Sequence, residues 1–323
     1  MARHLLVTLA DERFLDQARA LFACVHFDAG WSGDLMLLAH EIPDTRLAPF
    51  RERGILVRPC ETWFRGEPGE HFHPEAVLGK LEIFHPDFRR WQNVLFLDGD
   101  TLFWSSLERL ATVRGLHAVS ERRPLAGQFS RRDRNPALAR ELEARFDLQR
   151  PAFNSGLLAF STGVIRDETC ARLRGLFLRY RELQAHAFGD QPALNLHFYG
   201  HWRRLPDFYA AIRDHSAAHF FLAEDELRMI GKHFAGHPRP WDPGHPLREA
   251  WLCNLARFES LDARKPRPPR AAWSGLEVRR YEARLYVRRW SVLARRGAAS
   301  AWRRLLRAPA AKRLRWLARR LRR

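Results

Sequence analysis

The chain reads as an α/β protein built on a mostly parallel sheet, followed by a basic helical tail. Three observations predict this. Apolar strand segments alternate with amphipathic helical ones over the first hundred residues. An acidic turn, Asp98-Gly99-Asp100, closes the fourth apolar strand, and almost all of the net charge sits at the C-terminal end.

Composition frames the rest. The 323 residues are 46% apolar, ample for a buried core, and carry a formal net charge of +18. Residues 264 to 323 hold 21 Lys and Arg against two acids, Glu277 and Glu282, so the preceding 263 residues are nearly neutral. The joint is Arg264-Lys265-Pro266-Arg267-Pro268-Pro269-Arg270, where proline density blocks both helix and central strand. The expected organisation is a globular domain over 1–263 and a basic amphipathic tail over 264–323. Cys24, Cys60, Cys170 and Cys253 are widely spaced without a C-x-x-C pair, which disfavours a disulfide framework or a zinc ribbon. They read as reduced thiols of a cytosolic chain. The apolar stretch Leu5 to Ala10 is too short for a secretory signal, and no run approaches the ~18 apolar residues of a spanning helix.

The elements follow in order. His4 to Ala10 is a buried strand. Asp11 to Phe27 is a helix, with Phe14, Leu15, Ala18, Leu21, Phe22 and Val25 at helical spacing. Asp34 to Ile42 and Gly54 to Pro59 are strands flanking a short helix, Leu47 to Arg53. Residues 61 to 75 have no period and read as a loop. Ala76 to Trp91 is largely helical with a break at Pro86, and Asn93 to Leu97 is the strand entering the acidic turn. Asn135 to Asp147 and Glu168 to His186 are amphipathic helices around a strand from Phe153 to Phe160. Asp190 is a candidate cap for a helix with Pro192 in its first turn and Leu194 to Phe198 following.

By itself Asp98-Gly99-Asp100 is also a strong tight-turn signal. The chemical reading is that two carboxylates one residue apart reach a single ion where the chain turns, with Gly99 allowing close approach of the ligand backbone. Hard oxygen ligands then hold a divalent cation whose shell diphosphate oxygens and water complete. Nucleotides bind at the carboxyl ends of parallel strands, where this turn lies. The chain has no G-x-G-x-x-G, P-loop, G-x-S-x-G or H-E-x-x-H, which weighs against dehydrogenases, kinases, esterases and zincins.

Four strings together carry a resemblance: Val94 to Asp100, Phe153-Asn154-Ser155-Gly156, Gly189 to Asn195, and His233-Phe234-Ala235-Gly236-His237-Pro238-Arg239-Pro240-Trp241. In this order the sequence resembles glycosyltransferase family 8, the retaining group of glycogenin and the bacterial lipooligosaccharide galactosyltransferases, from Leu5 to about Trp241. The resemblance implies a GT-A fold, a Rossmann-like nucleotide-diphospho-sugar transferase domain. It implies that Asp98, Asp100 and His233 bind manganese, with magnesium as the alternative, and that the metal carries the diphosphate of a UDP-hexose. Two carboxylates and an imidazole suit manganese better than calcium or magnesium.

The same resemblance assigns Thr8, Leu9, Ala10 and Asp11 to the uridine, with Phe14 near the base; Phe14 reads equally well as core. It assigns Lys80 to the phosphates and Asn154, Asp190 and Gln191 to the donor sugar, with Gln191 near the anomeric carbon. Gly236 and Arg239 would close over the diphosphate, Arg239 standing where the family usually has lysine. Lys80 and Arg239 would stabilise charge on the leaving UDP, and Asp190 is the carboxylate the motifs bring near the sugar. Residues 61 to 75 and 121 to 150 are the expected acceptor-binding loops.

In the tail, Val278, Tyr281, Leu285 and Val292 recur at helical spacing among arginines, with Tyr286, Trp290 and Leu293 alongside. After Pro309 the pattern returns in Ala310, Leu314, Leu317 and Leu321, with Trp316 beside it. Basic, Trp-bearing amphipathic helices lie well on an anionic membrane surface. The expected setting is therefore the cytoplasm, peripheral on the inner face of the cell membrane, with a saccharide or glycolipid acceptor of the lipopolysaccharide or cell-envelope kind. Two alternatives stand beside it: a catalytically silent protein whose tail binds nucleic acid, disfavoured by the intact ligand set, and a glycogenin-like self-glucosylating enzyme.

Overall fold

The computed structural model describes residues 4–65, 75–185, 189–206, 209, 211–212, 231–236 and 238–265, with separate positions between 274 and 297. The chain packs as two compact units, Met1–Ser216 with Glu224–Ala272, and Ala217–Ala223 with Trp273–Arg323.

In the first unit β1 (His4–Ala10), β2 (Asp34–His40), β3 (Leu56–Cys60) and β4 (Asn93–Leu97) form the parallel half of a seven-stranded sheet. It is completed by β6 (Leu116–Pro124), β7 (Pro151–Ser161) and β8 (Trp202–Leu205) in the order β3-β2-β1-β4-β7-β6-β8. β7 runs antiparallel to both β4 and β6, and β8 is parallel to β6. Both faces of β1, β2 and β4 are covered, which is why these three strands are apolar runs with no polar alternation. Leu6, Leu95 and Leu97 face one core with Leu21 and Phe22 of α1 (Leu15–Ala23), Phe50 of α2 (Asp44–Glu52) and Trp251 of the helix Arg248–Arg257. Leu5, Val7, Val94 and Phe96 face the other core with Phe84, Phe88, Leu173 and Phe198. Leu173 comes from α4 (Thr169–Tyr180), which follows α3 (Pro136–Arg145) and precedes α5 (Gln191–His197). The helix Arg248–Arg257 is α6.

A second sheet matters more for the site. Its three strands, β5 (Thr101–Phe103), β9 (Ala211–Ile212) and β10 (Gly231–His233), pair in the order β5-β10-β9.

Three expectations need correction. The helix expected over 11–27 is a 3-10 turn, Glu12–Phe14, then α1, then a wide π turn, Cys24–Asp28. The helix expected over 76–91 is two 3-10 segments, Glu75–Phe84 and Pro86–Arg90. Gly79 backs onto Leu9 there, where a Cβ would lie 3.2 Å from Leu9 Cδ1. Residues 121–150 are not one acceptor loop: they hold the end of β6 and a 3-10 turn at Leu125–Phe129, and α3 stands where a helix over 135–147 is expected. Of the loop expected at 61–75, residues 61–65 are irregular and 66–74 lie outside the described residues.

The described tail positions from Leu276 to Gly297 are helical, and Leu276, Val287 and Trp290 are exposed. The partners Val278, Tyr281, Leu285, Tyr286, Val292 and Leu293, and the whole run after Pro309, lie outside the described residues. No helix among the described residues is long and apolar enough to cross a membrane.

Candidate metal and donor site

The acidic turn is held from three sides. As β4 ends at Leu97, the Asp98 amide donates to Gly156 O at 2.8 Å, tying the turn to β7. The Thr101 hydroxyl donates to Asp98 O at 2.8 Å, closing the turn into β5. β10 then pairs antiparallel to β5, with His233 opposite Thr101, and the Phe234 amide donates to Asp100 O at 2.9 Å. This small sheet is what delivers a histidine over a hundred residues distant to the two carboxylates.

Nε2 of His233 stands 3.1 Å from Asp100 Oδ1 and 3.6 Å from Asp98 Oδ2. One ligand atom from each of Asp98, Asp100 and His233 lies within 4.8 Å of the others, a spacing one cation can span. Gly156 forms the floor beneath them. A Cβ at that position would come within 2.2 Å of His233 Cε1 and 2.8 Å of Asp98 Oδ2, so the space is kept for the ligand groups by the absence of a side chain. Donor set and cradle both fit a divalent metal ion.

Burial opposes the charge on His233, but Asp100 outweighs it and holds the imidazole above the usual histidine range. Burial likewise works against ionised Asp100, and His233 more than compensates, holding that carboxyl below its ordinary value. A metal needs the neutral imidazole. Protons therefore compete with it below the raised pKa of His233, and manganese affinity is expected to fall by up to about tenfold per pH unit on the acid side. Calorimetric titration with manganese from pH 8.5 down to 6 checks this; an affinity independent of pH would remove His233 from the ligand set.

Beside the turn lies a buried ion cluster. Lys80 Nζ sits 3.0 Å from Asp98 Oδ1 and 3.5 Å from Asp190 Oδ2, and donates to the backbone O and Oγ of Ser155, each at 3.3 Å. Its side chain is 4% exposed, and an ammonium so placed needs counter-charge. Burial pushes its pKa down, yet Asp190 and Asp98 prevail and keep it raised. Asp190, equally buried, is raised by burial despite Lys80. The capping role expected for Asp190 does not hold: it sits at the N-cap of α5, but its side chain makes no cap bond because the carboxylate turns to Lys80 instead.

The expected sugar contacts are brought together by a residue the motifs did not reveal. Glu121 Oε2 accepts Asn154 Nδ2 at 3.2 Å and Gln191 Nε2 at 3.3 Å. Asn154 Oδ1 accepts the Gly156 amide at 2.9 Å, and Gln191 Oε1 accepts the Ser155 amide at 3.0 Å. Asn195 locks α5 to β7 by accepting from Phe153 N at 2.8 Å and donating to Phe153 O and Gln191 O. The Asn-Ser-Gly string signalled Ser155 only as a neighbour; Glu121 had no signal beyond a charge in a polar stretch.

The remaining expected positions divide. Thr8 is fully buried and its hydroxyl donates to Leu97 O, inside the sheet. Leu9 and Ala10 end β1, and Asp11 caps the next turn by accepting from Arg13 N and Phe14 N. Phe14 is half-buried, edge-on to Trp241 at 6.5 Å, with the Arg239 guanidinium 5.9 Å from its ring. Arg239 Nε is buried without a hydrogen-bond partner among the described residues. Gly236 adopts φ +96, a conformation glycine reaches freely, and Gly99 leaves ordinary contact distance to Gln17.

The family model of glycosyl transferase family 8 matches residues 78–243, which contain every one of these ligands and amides. The chain belongs to glycosyl transferase family 8. Glycosyltransferase GlyB of Streptococcus pneumoniae TIGR4 is 28% identical to this family 8 chain over 200 residues. The aligned region covers 57% of this chain and 44% of GlyB, so the chain spans under half the length of that relative. Among solved structures, LgtC carrying a Gln→Glu change in its active site superposes with TM-score 0.59 at 16% identity, covering 78% of this chain and 95% of that one. GlyE of S. pneumoniae TIGR4 gives 0.56 at 19%, covering 84% and 66%. The galactosyltransferase LgtC with donor and acceptor sugar analogues gives 0.52 at 17%, covering 82% and 97%. These likenesses bear out the expected GT-A fold.

Proposed function

We propose that this family 8 chain moves a hexose from a UDP-sugar to a saccharide or glycolipid acceptor with retention at the anomeric carbon. Asp98, Asp100 and His233 would hold manganese, with magnesium as the alternative, and Thr8 to Asp11, Phe14, Gly99, Asn154, Gly236 and Arg239 would line the donor. The observation that carries this reading is the convergence of two carboxylates and an imidazole beside the buried Lys80–Asp190 pair at the carboxyl end of β4.

A bound cation supplies Lewis-acid stabilisation of a diphosphate leaving group. Lys80 adds a buried, charged ammonium, and Arg239 a guanidinium with an unused buried donor, both suited to phosphate oxygens. Asp190, 3.5 Å from Lys80, and Gln191 stand at the start of α5. A retaining transfer needs either a carboxylate attacking from the far face or departure and attack on one face assisted by the leaving phosphate. Asp190 is held against Lys80, which favours a role in placing charge under the sugar over one as a freely attacking nucleophile.

The test is UDP release from a panel of UDP-hexoses by the full chain, with manganese and with EDTA. Manganese-dependent release from one donor supports the reading and names the sugar; silence across the panel, with no calorimetric binding of UDP, overturns it. The membrane-facing tail is proposed on its charge and on exposed Leu276, Val287 and Trp290, serving an acceptor of the lipopolysaccharide or cell-envelope type at the inner membrane face. The full chain is expected to sediment with vesicles containing anionic lipid and a chain of residues 1–263 to stay in solution. Equal sedimentation of both would remove the tail from that role.

A further inference from the structure

Glu121 is a carboxylate only 2% exposed on β6, just past a break in the β6–β7 ladder. Pairing passes from Ala118–Leu158 to Ser120–Phe153, so β7 runs through Asn154, Ser155, Gly156 and Leu157 where β6 supplies Val119 alone. Such irregularities re-aim side chains beside active sites. Here the extra residues are those that bond Glu121, Lys80 and Asp98.

A single oxygen, Glu121 Oε2, receives the NH2 groups of both Asn154 and Gln191. A carboxylate only accepts, so both amides must turn their nitrogens toward it. Their oxygens then face away, each onto a backbone N–H of the bulged segment, Gly156 for Asn154 and Ser155 for Gln191. Flipping either amide would set an amide oxygen against the carboxylate and an NH2 against a backbone N–H, two repulsive contacts in place of two bonds. We infer that Glu121 is a positioning residue for the transfer: it fixes which face of Asn154 and which face of Gln191 donates and which accepts. Each NH2 keeps a second proton and each amide oxygen a second lone pair, so the hydrogen-bond pattern these amides present to the donor sugar is set by Glu121 together with the backbone N–H groups of Ser155 and Gly156. The inference rests on the reading of Asn154 and Gln191 as donor-sugar contacts given above.

Glutamine in place of Glu121 keeps the shape but removes the charge and can turn its own NH2 toward the two amides, so their NH2 groups lose their common anionic acceptor and each amide is held by its backbone N–H contact alone. In E121Q the KM for the UDP-sugar is expected to stay within about twofold, because phosphate and metal contacts remain, while kcat falls about thirtyfold, the size of one lost charge-assisted hydrogen bond. Discrimination between UDP-glucose and UDP-galactose is expected to drop about fivefold or more, since the amides are held less firmly in one pattern. A purely structural role would move neither that ratio nor kcat at constant KM. E121D, which keeps the charge but shortens its reach by one methylene, should fall between.

A readout without turnover runs in parallel: the side-chain amide 15N resonances of Asn154 and Gln191, assigned through N154D and Q191E, are expected to shift together in E121Q and in E121D. Unchanged kcat and donor ratio, or amide resonances that stay where they are in the wild type, overturn the inference. If E121Q does not fold, the resonances of E121D decide in the same way. If the wild-type chain turns over no UDP-sugar, the proposed function falls, while the resonances still establish or refute the positioning by Glu121.

Discussion

Asp100→Ala is expected to cut manganese-stimulated UDP release by about a thousandfold or more, since a Lewis-acid cation contributes several kcal/mol to stabilising the transition state. Asp100 is the carboxylate nearest His233, at 3.1 Å, and its backbone oxygen also receives the Phe234 amide. Alanine removes the side chain but keeps that backbone bond, so β10 stays paired and the fold survives. The change leaves Asp98 and His233 as a two-point site and takes away the charge that, against burial, holds the His233 imidazole above its ordinary range. Two measurements separate the effects. Manganese titration should show affinity lost, and thermal unfolding should show a shift no larger than that of removing one partly buried ion pair, about 1–3 kcal/mol. A variant that hydrolyses donor at the wild-type rate with manganese would mean that the acidic turn is only a turn.

How much of this was legible in the residues depends on what each element buries. β1, β2 and β4 are sandwiched between two cores and are apolar runs, so their sequences announce them. β6 was not expected because its second half, Ser120-Glu121-Arg122-Arg123-Pro124, is polar. Its pairing there is irregular, and the irregularity is what serves the site. β5, β9 and β10 are two or three residues long, too short for any period, and exist because of their pairing, which for β5 and β10 spans more than a hundred residues of chain.

The site divides on similar lines. Asp98, Asp100 and His233 sit in strings with strong local chemistry, and that chemistry is why their clustering was expected. The link from Lys80 to Asp190 spans elements over a hundred residues apart and depends on burial, which no local pattern encodes. Asp190 shows the limit plainly, because its position at a helix start made capping the economical reading until the buried ammonium nearby gave its charge a better use. Glu121 had no motif at all; its meaning comes from the two amides it receives.

Gly156→Ala is the second large effect, and its logic is steric. Gly156 has no positive φ, so alanine is free to take the backbone conformation, and the outward tie from Asp98 N to Gly156 O needs no side chain. The added methyl, however, would sit 2.2 Å from His233 Cε1, 2.6 Å from His233 Nδ1 and 2.8 Å from Asp98 Oδ2. His233 is buried to 4% exposure and anchored by strand pairing, so relief has to come from rotation of the imidazole or of the carboxylate, and either movement opens the three-ligand triangle. Overpacking of this kind costs about 1–3 kcal/mol of stability. The functional loss should be larger: manganese affinity down at least about tenfold and donor turnover down about a hundredfold, as for other displacements of metal ligands by their supports. Gly175→Ala supplies the control. Gly175 is exposed in the middle of α4 with open space around its Cβ position, so alanine there should raise stability by about 0.5–1 kcal/mol and leave turnover alone. If both variants bind manganese as the wild type does, the floor under the triangle is not what keeps the ligands together, and the geometry of the site must be set from the β5–β10 side alone.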